Sequence, residues 1–160
     1  LNLPYWRFHR SPWQMQTGDD WQMFADWPDL LAALRNFKSV FITAGQIDET
    51  AINAFSNYAQ QGQQQLLRTA VQPQHALPES MSWIKAIGPF DFESELALMQ
   101  EHQVDVLVSK NSGGSATEAK LAAARNLGIT VMMLARPELP QGLTIFDELD
   151  DCVAAVLKAL

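Results

Sequence analysis

From Phe37 onward, short apolar runs rich in β-branched residues alternate with apolar residues at helical spacing, the order expected of βαβ units and a parallel sheet. The first run, Ser39-Val40-Phe41-Ile42-Thr43, closes on Ala44-Gly45-Gln46. Beyond Asp48, residues Ile52, Phe55 and Ala59 predict a helix that stops near Gly62. Gln65 to Thr69 reads as a second strand, and 72–79 as a loop broken by Pro73 and Pro78. Trp83 to Ile87 is a weaker strand ended by Gly88-Pro89-Phe90. Asp91 is placed to cap a helix that turns Phe92, Leu96 and Met99 to one side. Val104 to Ser109 is the clearest strand, and a helix over 116–127 ends at Gly128. The unbroken apolar run Ile129 to Leu134 suits a strand buried on both faces. After a loop holding Arg136, Pro137 and Pro140, a final helix from about Asp147 is expected to turn Leu149, Val153, Val156 and Leu157 inward.

The pattern before Phe37 differs. Trp21 to Ala25 predicts a strand, and Pro28 suits the first turn of a helix that buries Leu30, Leu31 and Leu34. The opening twenty residues carry aromatics at Tyr5-Trp6, Phe8 and Trp13, apolar surface that calls for cover. With no Met at the start, a removed preceding segment is the expected reason, in preference to packing back on the domain. Residues 1–38 then end a truncated first domain, and 39–160 form a second.

Composition narrows the function classes. With 11 Lys and Arg against 18 Asp and Glu, the net charge of −7 argues against a nucleic-acid module. It leaves room for an anionic ligand held by backbone amides and a few cations. No apolar run approaches the roughly 20 residues of a membrane span, and no basic-then-apolar leader opens the chain; a cytoplasmic protein is expected. The single Cys152 follows two aspartates, a setting that disfavours thiolate. His9, His75 and His102 are scattered and have no second ligand at helical spacing, so no metal site is expected. There is no nucleophile elbow and no Ser/His/Asp arrangement.

In open parallel sheets, ligands gather beyond the carboxyl ends of the strands. The loops expected there are Thr43 to Gln46, Gly88 to Phe90, Lys110 to Gly114, and Arg136-Pro137. Lys110-Asn111-Ser112-Gly113-Gly114-Ser115 is the most informative: a strand runs into paired glycines and a helix leaves them, so exposed amides can meet phosphate or carboxylate. Ser115-Ala116-Thr117-Glu118 equally fits a capping box, which would explain the segment as a helix start with Lys110 in solvent. The segment is neither a Walker loop nor G-x-G-x-x-G. Gly45, Thr43 and Arg136 suit a ligand as well as they suit a turn, a strand end and a solvated loop. Lys120, a turn beyond the glycines, reads as a solvated helix position.

The segment Val108 to Gly114, with Thr117, Lys120-Leu121 and Ala123 to Gly128, resembles the hallmark region of precorrin-6A reductases. In the same order, Arg10-Ser11-Pro12-Trp13 resembles that family's Arg-x-Pro-x-Trp stretch, and Val40 to Gly45 its strand ending in Thr-x-Gly. Ile87 to Phe90 with Glu95 resembles its Gly-Pro-Phe segment, and Val131 to Pro137 its strand ending in Arg-Pro. Ala86 departs from the family's basic residue before Gly-Pro-Phe. The resemblance implies an α/β, Rossmann-like, mostly parallel sheet with helices on both faces, plus the remnant of a preceding α/β domain. It implies reduction of precorrin-6A or cobalt-precorrin-6A to the 6B level by NADPH or NADH. The cofactor-binding positions would be Thr43, Gly45, Lys110, Asn111, Ser112, Gly113, Gly114, Thr117 and Arg136, with no catalytic residue assigned and an N-terminal domain missing. The competing readings are a nucleotide- or tetrapyrrole-binding module without chemistry, another Rossmann-like enzyme such as a nucleotide-sugar transferase, and an interaction domain using the aromatic tail.

Overall fold

The computed structural model describes residues 6–136 and 144–159. Tyr5, Pro137 and Pro140, named above, lie outside the described residues. The strands are β1 (Trp6–Phe8), β2 (Trp21–Phe24), β3 (Ser39–Ile42), β4 (Gln64–Thr69), β5 (Met81–Lys85), β6 (Val106–Lys110), β7 (Thr130–Leu134) and β8 (Thr144–Phe146). The helices are α1 (Trp27–Leu34), α2 (Glu49–Gln60), α3 (Phe92–Glu101), α4 (Ala119–Leu127) and α5 (Leu149–Ala159).

Six strands form one parallel sheet in the order β2-β7-β6-β3-β4-β5, and β1 pairs in parallel with β8 in a separate two-stranded ribbon. The central strands are apolar on both faces because helices cover both: Val131, Met132 and Met133 of β7 are all at most 1% exposed. One core sets α1 and α2 against Val40, Ile42, Val106 and Val108, with Leu30, Leu34 and Phe55 fully buried. The other sets Met99 of α3 and Leu121, Ala123 and Ala124 of α4 against Phe41, Leu107 and Met133. At roughly 1.5–3 kcal/mol for each large apolar side chain removed from water, these two layers dominate the favourable side of folding.

Local chemistry sets the helix ends. Asp26, Asp48 and Asp91 each accept a hydrogen bond from an amide of the first turn, and Pro28 falls in the first turn of α1. Gly128, in the left-handed region at φ 67°, ends α4.

Three expectations are corrected, and the cover of the aromatic opening is seen. The capping box Ser115/Glu118 does not form: a 3-10 turn over Ser115–Thr117 precedes α4, which starts at Ala119, and no side chain caps either element. The apolar stripe of α5 is not inward, since Leu149, Val153, Val156 and Leu157 are 41–67% exposed; α5 packs on β1 and β8 instead of on the main sheet. Part of the aromatic opening is covered by the chain itself, through the β1–β8 ribbon and the burial of Trp13, while Phe8 stays exposed. Within 1–38, β2 and α1 contribute to the same six-stranded sheet and core as the residues that follow. Among the described residues no helix is long and apolar enough to cross a membrane.

Candidate functional site

The sheet reverses its winding between β3 and β6. These strands are neighbours, yet the helix after β3 lies in one core layer and the helix after β6 in the other. Their outgoing loops therefore diverge and open a crevice at the carboxyl ends, where a parallel sheet binds ligands. Thr43 and Gly45 stand on one side of it, Lys110 to Gly114 and Thr117 on the other, and Arg136 follows the adjoining β7. A pocket of about 390 Å³ lies beside this point, lined by Asp26 and Trp27, by Lys110, Asn111 and Ser112, and by Leu134 and Arg136 among others.

A larger hollow, about 540 Å³, lies at the opposite, amino end of the strands beside Lys38, Ser39, Gln63 and Asp105. Two of its polar side chains are already occupied: Asp105 accepts from the amides of Lys38 and Ser39, and the Gln63 amide donates to the carbonyls of Leu34 and Phe37. The carboxyl-end crevice is the better candidate, because ligands of a parallel sheet gather there and three amides of its glycine loop donate no hydrogen bond among the described residues.

Among the described residues, the amides of Gly113, Gly114 and Ser115 donate no hydrogen bond. The Ser112 amide does bond, to the Lys110 carbonyl at 2.8 Å. Gly113 and Gly114 sit at φ 66° and 87°, a region that a Cβ makes costly. At Gly113 the restriction is doubled, since a Cβ there would stand 2.1 Å from the Ser11 carbonyl oxygen and 2.8 Å from Arg136 Nη2. Gly45, at φ 83°, has open space around the position of a Cβ. Thr43 bonds to the Val108 carbonyl through its amide (2.8 Å) and its hydroxyl (3.0 Å), tying β3 to β6 at the crevice. Lys110 and Ser112 are exposed at the loop's edge.

The segment 9–13 lies over the loop. The Asn111 side chain turns to Trp13, accepting from its amide at 2.8 Å and donating to its carbonyl at 3.2 Å. Arg136 is half-buried and largely engaged: its guanidinium donates to the carbonyls of Arg10 and Asn111 and meets His9 Nε2 at 2.6 Å. Desolvation, and then the positive charges of Arg136 and Arg7, lower the His9 pKa, which favours the neutral imidazole beside Arg136.

Beneath the loop is a charged cluster that sequence reasoning missed. Arg68 of β4 and Glu95 of α3 form a buried two-point ion pair, one contact being 3.0 Å. The Arg68 guanidinium also lies 3.9 Å from the centre of the Phe90 ring. Phe90 in turn donates its amide to the Ala116 carbonyl at 3.1 Å, which joins the Gly-Pro-Phe segment to the 3-10 turn. Lys120, expected in solvent, is 4% exposed, with its ammonium 5.0 Å from the Trp13 ring centre. Helical spacing carries the clue: Lys120 shares a face with Ala123 and Ala124, both fully buried and small enough to admit its stem. Glu95 falls in the same way inside the stripe of Phe92, Leu96 and Met99.

Burial, and then the charge of Arg68, push the Lys120 pKa down to about 8, with Glu95 opposing. The unfolded chain therefore holds this proton more tightly, and stability should climb as pH rises from about 8 toward 10.5. Lys120→Met, which keeps the apolar stem, is expected to raise stability at pH 7 by up to roughly 3 kcal/mol, less a cation–π contribution of about 1 kcal/mol. It should also flatten the alkaline climb. Urea unfolding at pH 7 and pH 10 measures both, and an unchanged alkaline slope would refute the assignment.

A family model described as "Precorrin-6x reductase CbiJ/CobK" matches residues 1–157. A precorrin-6A reductase of Rhodococcus erythropolis is 37% identical over 155 residues, 96% of this chain and 60% of that protein. One of Mycobacterium tuberculosis (strain ATCC 25618 / H37Rv) is 38% identical over 148 residues, covering 92% and 58%. A solved structure, "CobK precorrin-6A reductase", superposes with a TM-score of 0.78 at 32% identity, over 94% of this chain and 59% of that one. The chain thus spans about three-fifths of the length of the curated relatives it matches.

Proposed function

Since this chain belongs to the precorrin-6x reductase CbiJ/CobK family, we propose that it takes part in reducing precorrin-6A, or its cobalt form, to the 6B level with NADPH or NADH. The observation that carries this reading is the set of unspent amides at Gly113, Gly114 and Ser115, placed at the switch point of a parallel sheet and beside the exposed Lys110. Such a loop suits a phosphate of the cofactor or a carboxylate of the substrate.

When bound, the nicotinamide supplies the hydride. The residues of this chain bind and orient. The loop amides and Lys110 hold one anionic group, and Ser112 adds a hydroxyl at the same edge. Thr43 and Gly45 border the crevice from β3, where Gly45 leaves room for a close approach. Thr117 stands in the 3-10 turn behind the glycines, and Asn111 acts by fixing the loop. Arg136 contributes a second positive charge through Nη2, which carries no hydrogen bond among the described residues. The macrocycle lies across the crevice, and the further two-fifths of length present in the relatives supplies the facing wall as an N-terminal domain.

The test mixes protein, NADPH and precorrin-6A and follows NADPH absorbance together with the reduced macrocycle. Oxidation in step with reduction is expected. Lys110→Ala should weaken NADPH binding about tenfold, the worth of one charge-assisted contact. Equal affinity of the variant and the parent protein would count against the loop as the cofactor site.

A further inference from the structure

Trp13 belongs to a segment that the binding site does not use directly, yet it touches the anion loop at both ends. Its main chain holds the Asn111 amide group from both sides, at 2.8 and 3.2 Å. Its indole Nε1–H donates to the Gly114 carbonyl at 3.0 Å. The ring is 8% exposed and carries the Lys120 ammonium over its face. These contacts run between residues about a hundred apart in sequence (98 for Asn111, 101 for Gly114), so they are not a by-product of local chain geometry.

We infer that Trp13 is a positioning residue for the loop 111–114: it draws the Gly114 carbonyl inward and so directs the next amide, that of Ser115, toward the incoming anion. In a trans peptide the C=O and the following N–H point in opposite directions. A Gly114 carbonyl fixed on the buried indole therefore turns the Ser115 N–H away from the core, at a residue that is itself exposed. Paired glycines have the widest conformational choice in the chain, and without a tether their amides would sample many directions. The Asn111 clamp fixes where the loop begins, and the indole bond fixes where it ends. Lys120 completes the arrangement by keeping the ring in place from below.

The inference deepens the proposed function, on which its ligand rests, while the loop geometry stands by itself. Trp13→Phe separates the two. It keeps an aromatic face for Lys120 and both main-chain bonds to Asn111, and removes only the Nε1–H donor. The readouts are the ¹H–¹⁵N heteronuclear NOE of the Gly114 and Ser115 amides without ligand, and NADPH affinity by titration calorimetry. The expected result is a lower NOE at both amides, with β3 unchanged, and NADPH binding weakened about fivefold, the worth of one neutral hydrogen bond. In turnover the loss should appear in KM for NADPH with kcat retained. An unchanged NOE overturns the inference, as does a lowered NOE with unaltered NADPH affinity. A lowered NOE in a protein whose parent form binds no NADPH upholds the role of Trp13 and overturns the cofactor reading.

Discussion

Replacing Glu95 with alanine is expected to destabilise the fold by about 3–5 kcal/mol, the usual consequence of stranding one member of a buried ion pair. Arg68 would be left 7% exposed between Phe41 and Phe90, with its charge unanswered and no water to take the carboxylate's place. The attraction within the pair is not itself a source of net stability, because both charges were desolvated to make it. The double replacement Arg68→Met with Glu95→Leu should therefore recover most of the loss. Urea unfolding of the three proteins decides the matter: a Glu95→Ala cost below about 1 kcal/mol would mean that water reaches the pair. Phe90 packs on Arg68 and binds the 3-10 turn, so the single variant should also loosen the crevice before the sheet melts.

Gly113→Val is expected to abolish NADPH binding and release the segment 9–13, while far-ultraviolet circular dichroism remains that of the parent. The added Cβ would meet the Ser11 carbonyl oxygen at 2.1 Å, a distance that backbone cannot accommodate by small adjustment, and φ 66° strains any β-branched residue. Either the glycine pair rearranges or the segment leaves; both remove Trp13 from its site. Uncovering that ring and straining the backbone together cost about 3 kcal/mol. Gly62→Val is the control, since it too has a positive φ (93°) but nothing within 4 Å of the new Cβ. It should show the strain alone and keep NADPH affinity. Tryptophan emission shifted to the red in the Gly113 variant only is the accompanying sign; a Gly113 variant that binds NADPH normally would remove the loop from the site.

The sheet was legible because its central strands carry their burial in the sequence itself: Val131 to Leu134 has no polar residue, and only a strand covered on both faces tolerates that. The loops at the carboxyl ends followed from the strand order, so the neighbourhood of Thr43, Lys110 and Arg136 could be named without coordinates. What those side chains touch could not. Asn111 and Arg136 look like ligand-binding types, and their engagement by His9, Arg10 and Trp13 depends on contacts across most of the chain. Strand and helix periodicity describe an element against its own axis and are silent about a partner a hundred residues away. For the same reason Lys120 read as solvated, although its spacing to Ala123 and Ala124 already placed it on a covered face. Periodicity also failed at α5, where a sound amphipathic pattern faces outward because the helix packs on the small ribbon.

That ribbon has a consequence for how the protein is made. Among the described residues, Trp6 to Phe8 pair only with Thr144 to Phe146, so vectorial synthesis must deliver all the intervening residues before the two edges can meet. Trp6 to Phe8 are thus seated only after residues made long after them, and a nascent protein stalled short of Thr144 would own a sheet without its fastening.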